Sequence, residues 1–547
     1  MKSNFLNFLS NNLKLFDYSL NENVLKEYSQ DESIFKIKPK VVVFPRNSKE
    51  VKELVKIAKE NNFGITPRAA GTDMSGGSIG EDILIVFTKY LNKFNIDPEK
   101  KIAIAEPGVY FRDFEKELNK YNLMLPSYPA SKEICALGGM VANNSGGEKT
   151  LKYGKTENYV LGLKVVLSDG EEYYFEKIDE NELQKKLSLE NFEGEIYRKT
   201  YELIKNNYEL IQKSKPKVSK NSSGYNIWKV YENGYFDLTK LFVGSQGTLG
   251  IITEIKFKLL EKERFSQLLV IFIKNLKDLP HFTNEILKLE PTSLEITDDH
   301  TFKIFLKFFK EMANLLGTKG IFSMFKLFLP EILMIAKIGF PKLIVLPEFT
   351  GQSQDEIKEK TQKAKEIIKK YKYLFREPKD EKETEKYWKL RRDTYKLLRE
   401  KIKNLTASPF IDDFIILPEY LPEFLPKLYQ ILDEYKLIYT ISGHLGDGNL
   451  HIIPLIDLKN KNQRKNILEI TDKVYDLVLN YNGILTAEHN DGIIRGPYLE
   501  KEFGKEIYNI FLEIKKIFDP YNIFNPNKKV MVRREYLEKL LNENFDL

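Results

Sequence analysis

Three of the five histidines in this 547-residue chain fall between positions 444 and 489. His444 and His451 stand at the two ends of HLGDGNLH, and His489 follows Glu488 in AEHNDG. Two imidazoles bracketing a glycine-rich turn can converge on one ion. A carboxylate from a separate strand end, Glu488, gives a third ligand and leaves positions open for a substrate, which suits a catalytic metal site better than a closed structural one. A histidine taken alone is more often a hydrogen-bonded structural residue, and His281 and His300, which have no such company, are read that way. Asp447 and Asn449 within the turn are candidates for supporting the ligands or for ordinary Asx-turn chemistry.

A second chemistry is written in three stretches of small residues, PRAAGTDMSGG at 67–77, PASKEICALGGMVANNSGG at 129–147 and VGSQGTLGIITE at 243–254. Small side chains let successive main-chain N–H groups approach a pyrophosphate, and Ser, Thr and Asn add hydrogen bonds. A single loop of this kind is equally what a tight turn looks like. A Rossmann site is disfavoured, because its glycine turn opens a helix directly after a strand. Here the loop after Arg68 runs into another strand, ILIVF at 83–87. No glycine stretch ends in Gly-Lys-Ser or Gly-Lys-Thr, so there is no Walker A loop.

The elements that must position these residues follow from periodicity. Residues 41–44 form a Val-rich strand, Ser48 caps a helix carrying Val51, Leu54, Val55 and Ala58, Gly64 lies beyond its end, and a second strand starts at Ile65. From 102 to 260 short strands alternate with helical stretches and glycine loops, with the Lys- and Glu-rich stretch 176–219 read as a solvated insertion. After about residue 261, strands such as QLLVIFI and KLIVLPEF alternate with charged amphipathic helices, the mark of a second domain. Residues 301–340 interleave phenylalanines with six Lys and two Glu, as either a helical cap over a pocket or an interfacial membrane or partner surface.

Composition sets outer limits. Hydrophobic residues make up 42% and charged residues 30%, so the chain is an ordinary folded protein of several domains. A net charge of +6 is too weak a bias to argue for nucleic acid. The one cysteine, Cys135, permits no internal disulfide and cannot supply the ligands of an iron–sulfur cluster, so any cluster belongs to a partner. The N-terminus shows no small-residue cleavage site and no uncharged apolar run reaches a membrane span, so the expected location is the cytoplasm, with 301–340 as the candidate for a peripheral contact at the inner face of the membrane.

In order and spacing the segments resemble the FAD-binding domain of the vanillyl-alcohol oxidase/PCMH flavoproteins, most closely the glycolate oxidase GlcD and D-lactate dehydrogenase branch. The resemblance runs from NVLKEYSQDES at 23–33, through VVVFPRNSKEVKELVKIA, the three loops and LKYGKTENYVLGLKVVLSDG, to FDPYNIFNP at 518–526. It implies an α+β fold. A PCMH-type FAD-binding domain of two α+β subdomains (1–260) precedes a substrate or cap domain with an antiparallel sheet and helices (261–480), and a C-terminal helical segment (481–547) returns to the flavin.

The resemblance also implies roles. Arg68, Gly71, Thr72, Gly76 and Gly77 wrap the FAD pyrophosphate. Pro129, Ser131, Gly138, Gly139, Asn143, Ser145, Gly146 and Gly147, with Tyr153 and Gly154, line the flavin. Gly244, Gly247, Thr248, Gly250 and Ile252 hold the adenosine side, and Asn525 returns to the isoalloxazine. Ala69 and Asp73 stand where the family usually has glycine, Gln246 for a common glutamate and Asn527 for the usual glycine; an aspartate beside a pyrophosphate would repel it. With no histidine in the first loop, and Cys135 in no setting that implies attachment, the FAD is expected to be non-covalent.

Carried over from that branch, His444, His451 and Glu488 bind a divalent metal (zinc, manganese or iron) and His489 is the base. Arg391 of WKLRRD at 388–393 pairs with the substrate carboxylate, with an exposed helical salt bridge, or the same role for Arg392, as alternatives. The implied reaction takes a small D-2-hydroxy acid to the 2-oxo acid, with hydride passing to flavin N5 and electrons to a separate acceptor: an iron–sulfur subunit, a quinone or another carrier. Two rivals remain: an alkylglycerone-phosphate synthase-like flavoenzyme, and a flavoprotein subunit of an electron-transfer complex with little activity alone.

Overall fold

The structure, a computed structural model, describes residues 16–301, 303, 329, 331–334, 339–401 and 405–543. Most of 301–340 lies outside the described residues, and the choice between cap and docking surface lies there with it.

Strands Val41–Phe44, Ile83–Val86 and Ile65–Arg68 pair in parallel in that spatial order, and Asp17–Ser19 adds an antiparallel edge. The first two are buried at every residue, as parallel strands covered on both faces must be. Helix Ser48–Asn61 gives part of that cover through Val51, Leu54, Val55 and Ala58. Its cap is one residue earlier than expected. Asn47, the last extended residue, accepts the Glu50 N–H, and Asn62 in the left-handed region ends the helix before Gly64.

The second subdomain is a five-stranded antiparallel sheet in the order Phe94–Asp97, Ile102–Ala105, Ile251–Lys258, Val160–Val166, Glu172–Glu176. Ile251–Lys258 alternates buried and partly exposed residues along most of its length. The stretch 176–219 is not a solvated insertion. It forms helices Glu180–Leu187, Phe192–Asn206 and Tyr208–Lys213, whose Leu183, Ile196, Tyr197, Ile204 and Ile211 enter this subdomain's core. Its Lys and Glu residues are the outer faces of amphipathic helices.

A nine-stranded antiparallel sheet follows, running Leu374–Arg376, Val270–Ile273, Leu343–Gly351, Ser293–Asp298, Ile438–His444, Asn449–Ile456, Thr406–Ala407, with Phe265–Leu268 and Phe414–Ile415 as short side pairs. Helices Leu421–Glu434 and Lys461–Asn480 bury Leu425, Leu428, Ile470 and Val474 in the same core as this sheet.

The chain then turns back. Helix Leu499–Phe518 packs Phe511, Ile514 and Phe518 into the second subdomain against Tyr225, Trp228 and Phe242. Phe524 pairs in parallel with Ile65, so the first sheet is completed from the far end of the sequence. No described helix is long and apolar enough to cross a membrane.

Candidate active site

His444 and His451 stand on the middle of the large sheet, and His489 lies in an irregular stretch outside its strands. Ile438–His444 and Asn449–Ile456 form a hairpin, and Ser293–Asp298 pairs on the other side, so that Glu295 lies opposite His444 and Ser442 opposite His451. The hairpin requires Gly448. Its φ is +75°, and an added Cβ would stand 1.8 Å from the Ile416 carbonyl oxygen.

A carboxylate faces Nδ1 of each ring. Glu295 Oε1 is 2.6 Å from His444 Nδ1, and Asp412 Oδ1 is 3.2 Å from His451 Nδ1. A neutral imidazole that donates from Nδ1 keeps a lone pair on Nε2, and carboxylates placed in this way orient metal-binding histidines. The ligand atoms of His444, His451 and Glu488 lie within 4.8 Å of one another. Glu488 Oε2 is 3.4 Å from His444 Nε2 and 4.0 Å from His451 Nε2. Two nitrogens and one carboxylate oxygen, oriented from behind, fit a zinc, manganese or iron ion with open positions.

Glu488 and His489 are aimed by Asp413, whose Oδ2 accepts the backbone N–H of both. Asp413 itself has φ 73°, a left-handed conformation that aspartate tolerates better than most residues. Lys220, fully buried, places its Nζ 2.7 Å from Glu488 Oε1 and 3.0 Å from Asp447 Oδ2, which turns the other Glu488 oxygen toward the imidazoles. Ser219 donates to Asp447 Oδ1 at 2.6 Å, and Asn449 donates to Asp413 Oδ1 at 3.2 Å; both turn residues therefore act through neighbours. His489 Nδ1 lies 2.6 Å from Asp412 Oδ2, close in distance but not aligned as a hydrogen bond.

The charges follow from these partners. Burial works against ionisation of Glu488, but Lys220 and His444 hold it well below the usual carboxylate range. Burial opposes the charged form of His444 and Glu295 overrides it, raising the ring to about 9. In His489 burial is again overridden, by Asp413 and Asp412, giving about 9. In His451 burial wins over Asp412 and the ring is lowered, which leaves it neutral for ligation.

Arg391 is not an exposed helical salt bridge: it is mostly buried and donates from Nε to Glu295 Oε2 at 2.9 Å, across to the sheet. Arg392 forks onto Glu148 through Nε at 2.8 Å and Nη2 at 2.6 Å.

Both arginines, the three histidines and Glu488 border one cavity of about 740 Å³, a volume in the range of cofactor sites. The three glycine loops form its other wall. Arg68, Gly71, Thr72, Gly77, Pro129, Ser131, Gly138, Gly139, Asn143, Ser145, Gly146, Gly147, Gly247, Gly250 and Ile252 line it. At Gly139 an added Cβ would meet only Ala69 Cβ, at 3.6 Å, so that wall is kept back to the main chain, as a large planar cofactor requires.

Six expected cofactor residues do not line the cavity. Gly76 packs beneath Ile493 and Phe35, and Gly244 faces Asn144 and Asn490. Tyr153 packs beside the second subdomain's core, and Gly154 ends its short helix with φ +73°. The Thr248 hydroxyl pairs with Tyr225 at 2.7 Å. Asn525 donates to the carbonyls of Gly77 and Gln246, both at 2.7 Å. These residues shape and join the loops from behind.

Asp73 also borders the cavity, but its carboxylate is engaged by the loops. Its Oδ1 accepts Ser75 N and Gly77 N, both at 2.8 Å, and its Oδ2 accepts Asn143 Nδ2 at 3.0 Å and Gln246 Nε2 at 3.1 Å. Glu295, Asp412, Asp413 and Lys220 have no place in the sequence reading. The one local signal was a pair of adjacent acids, Asp412 and Asp413, in an otherwise apolar stretch, FIDDFIIL.

Comparison with known proteins agrees with this architecture. Residues 39–174 match the FAD binding domain family, and residues 262–529 match the family described as FAD linked oxidases, C-terminal domain. The glycolate oxidase subunit GlcD of Bacillus subtilis is 27% identical over 498 residues, covering 90% of this chain and 88% of that protein. D-lactate dehydrogenase of Archaeoglobus fulgidus is 27% identical over 492 residues, covering 90% and 91%. D-2-hydroxyglutarate dehydrogenase of Pseudomonas putida is 26% identical over 509 residues, and the chain, matched over 91% of its own length, spans 49% of that longer protein. Among solved structures, 4-ethylphenol oxidase from Gulosibacter chungangensis aligns with a TM-score of 0.69 at 16% identity, covering 98% of both chains. An alkyldihydroxyacetonephosphate synthase aligns at 0.67 and 17%, covering 95% of this chain and 85% of that one. At these identities the structural likeness is one of fold.

Proposed function

The chain belongs to the FAD-linked oxidases of the vanillyl-alcohol oxidase/PCMH superfamily, in the GlcD and D-lactate dehydrogenase branch, and we propose that it oxidises a small D-2-hydroxy acid to the 2-oxo acid. The observation that carries this reading is the convergence of His444 Nε2, His451 Nε2 and Glu488 Oε2 on the same cavity that the three glycine loops wall. Bound FAD supplies a hydride acceptor, and a bound divalent cation supplies positive charge for the substrate's 2-hydroxyl and carboxylate.

The chain's own residues do the rest. His444, His451 and Glu488 would hold the cation. His489, with Nδ1 against Asp412, takes the proton of the 2-hydroxyl at Nε2 in its neutral form. The aspartates that raise the ring to about 9 make this the minor form near pH 7, so the rate should climb toward that higher pH. Arg391, anchored at Nε by Glu295, offers its remaining guanidinium N–H groups to the substrate carboxylate and so selects the face of Cα turned to the glycine loops. Since a single cysteine rules out a cluster within the chain, a separate acceptor takes the electrons.

Anaerobic bleaching of the flavin tests the reading. Protein loaded with FAD and zinc or manganese should bleach with D-2-hydroxy acids and not with their L-enantiomers. His489→Gln should slow bleaching by about 10²- to 10⁴-fold, the usual worth of a general base. Colour that no acid in a D-hydroxy-acid panel bleaches would instead support an electron-transfer subunit.

A further inference from the structure

Past the histidines, the face of the large sheet that looks into the cavity continues as a row of hydroxyls. Thr297, Ser442 and His451 are successive cross-strand partners on three adjacent strands, and the rung beside them pairs Glu295 with His444. On the other side Thr440 lies opposite Ile453. All of these border the cavity, as residues two apart on a strand share a face. Cross-strand partners hold their Cβ atoms about 4.5–5.5 Å apart, so the Ser442 hydroxyl stands one side chain from the His451 ring and Thr297 one further. Thr301 already donates to Asp298 at 2.7 Å, whereas Thr297 and Ser442 border the cavity with no side-chain hydrogen bond to a described residue.

Among the described residues, the cations around this row are committed. Arg392 is forked on Glu148, Lys220 lies between Glu488 and Asp447, and Arg391 is held by Glu295 and assigned above to the C1 carboxylate. Arg68 stands on the glycine-loop wall and donates to the Ser78 carbonyl. A second carboxylate on the substrate would meet hydroxyls and acids there. Ile453, opposite Thr440, and Met74, packed against the cluster that contains Ile453, make the lining beside the hydroxyls apolar, which disfavours a longer polar chain.

We propose that Thr297 and Ser442 select a short D-2-hydroxy acid bearing a hydroxyl on C3, a 2,3-dihydroxy acid, over its 3-deoxy analogue and over a dicarboxylate. C3 is bonded to the reacting carbon, so with the 2-hydroxyl between His444 and His451 its substituent falls beside the rung that His451 shares with Ser442 and Thr297. The proposal rests on the dehydrogenase reading and adds the substrate's distal chemistry to it.

The test uses the full chain loaded with FAD and metal and compares kcat/KM for D-glycerate, D-lactate and D-2-hydroxyglutarate. D-Glycerate should exceed D-lactate by about tenfold or more, because a site built to pair a hydroxyl loses that pairing with the methyl analogue. D-2-Hydroxyglutarate should be the poorest. Ser442→Ala, and Ser442→Ala with Thr297→Val, should move the glycerate-to-lactate ratio toward one, with flavin absorbance checking that each variant is folded and loaded. D-Lactate equal to or better than D-glycerate, a preference for the dicarboxylate, or a ratio unmoved by the substitutions overturns the proposal. Bleaching by none of the three acids overturns the dehydrogenase reading itself.

Discussion

Asp412 faces two rings at once, 3.2 Å from His451 Nδ1 and 2.6 Å from His489 Nδ1, and the two imidazoles stack with centroids 5.0 Å apart. One carboxylate thereby faces both a proposed metal ligand and the proposed base. Asp412→Asn keeps the shape and removes the charge, so kcat/KM should fall about 10- to 100-fold, the usual effect of losing such a supporting group, while bound flavin serves as the control for folding. Activity within twofold of the parent would show that Asp412 does not orient the rings. The histidines and Glu488 were legible in the sequence because histidine is so scarce here. Their partners were not: Glu295 lies 149 positions from His444, Lys220 lies 268 from Glu488, and neither stands in a local pattern that marks it.

Titration gives a second test at this scale. His444, raised to about 9 by Glu295 against the effect of burial, must lose its proton before Nε2 can ligate. Below pH 9 metal uptake should release a proton at this ring, and apparent affinity should rise about tenfold per pH unit before levelling near pH 9. Zinc or manganese titrations from pH 6.5 to 10 measure the slope. A flat profile with affinity unchanged in His444→Gln removes His444 from the ligand set, and a flat profile with affinity lost in that variant means that the ring is already neutral.

Between elements, the three glycine loops are joined by two residues that looked in sequence like separate departures from the family. Asp73 in the first loop receives Asn143 from the second and Gln246 from the third. A glutamate at 246 would set a second carboxylate against Asp73 in a buried place, where like charges disfavour ionisation. The amide is therefore what makes the aspartate acceptable, and the Asp73 charge is spent on the loops rather than aimed at a pyrophosphate. Gln246→Glu should destabilise the fold and weaken FAD retention, and Asp73→Asn should restore much of the loss, with a coupling of about 0.5–3 kcal/mol in denaturant titrations of the two single variants and the double. Additive effects would separate the two positions. The order of loops and strands was readable because glycine clusters and two-residue alternation are local signals. The burial of 176–219 was missed for the converse reason: its stripe of Leu183, Ile196, Tyr197 and Ile204 is diluted by charged outer faces.

At the scale of the whole molecule, the chain closes on itself at Asn525. The Ile65 N–H donates to the Ile523 carbonyl and the Asn525 N–H donates back to the Ile65 carbonyl, both at 2.7 Å, adding the C-terminal segment to the first sheet. The Asn525 amide then donates to Gly77 and Gln246 in the first and third loops. It does not border the cavity, and what its side chain makes is a tie between loops. Its φ of 43° adds a backbone demand, since asparagine and glycine enter the left-handed region more readily than alanine. Asn525→Gly removes the side-chain hydrogen bonds while meeting that demand, and leaves two carbonyls without their donor, at about 1–3 kcal/mol each where they stay buried. Asn525→Ala adds backbone strain of about 1–2 kcal/mol. Both variants should release FAD faster than the parent, with alanine the less stable of the two in denaturant. Equal FAD release from Asn525→Gly and the parent would mean that the loops hold their places without the tie, and that the C-terminal return contributes to the sheet alone.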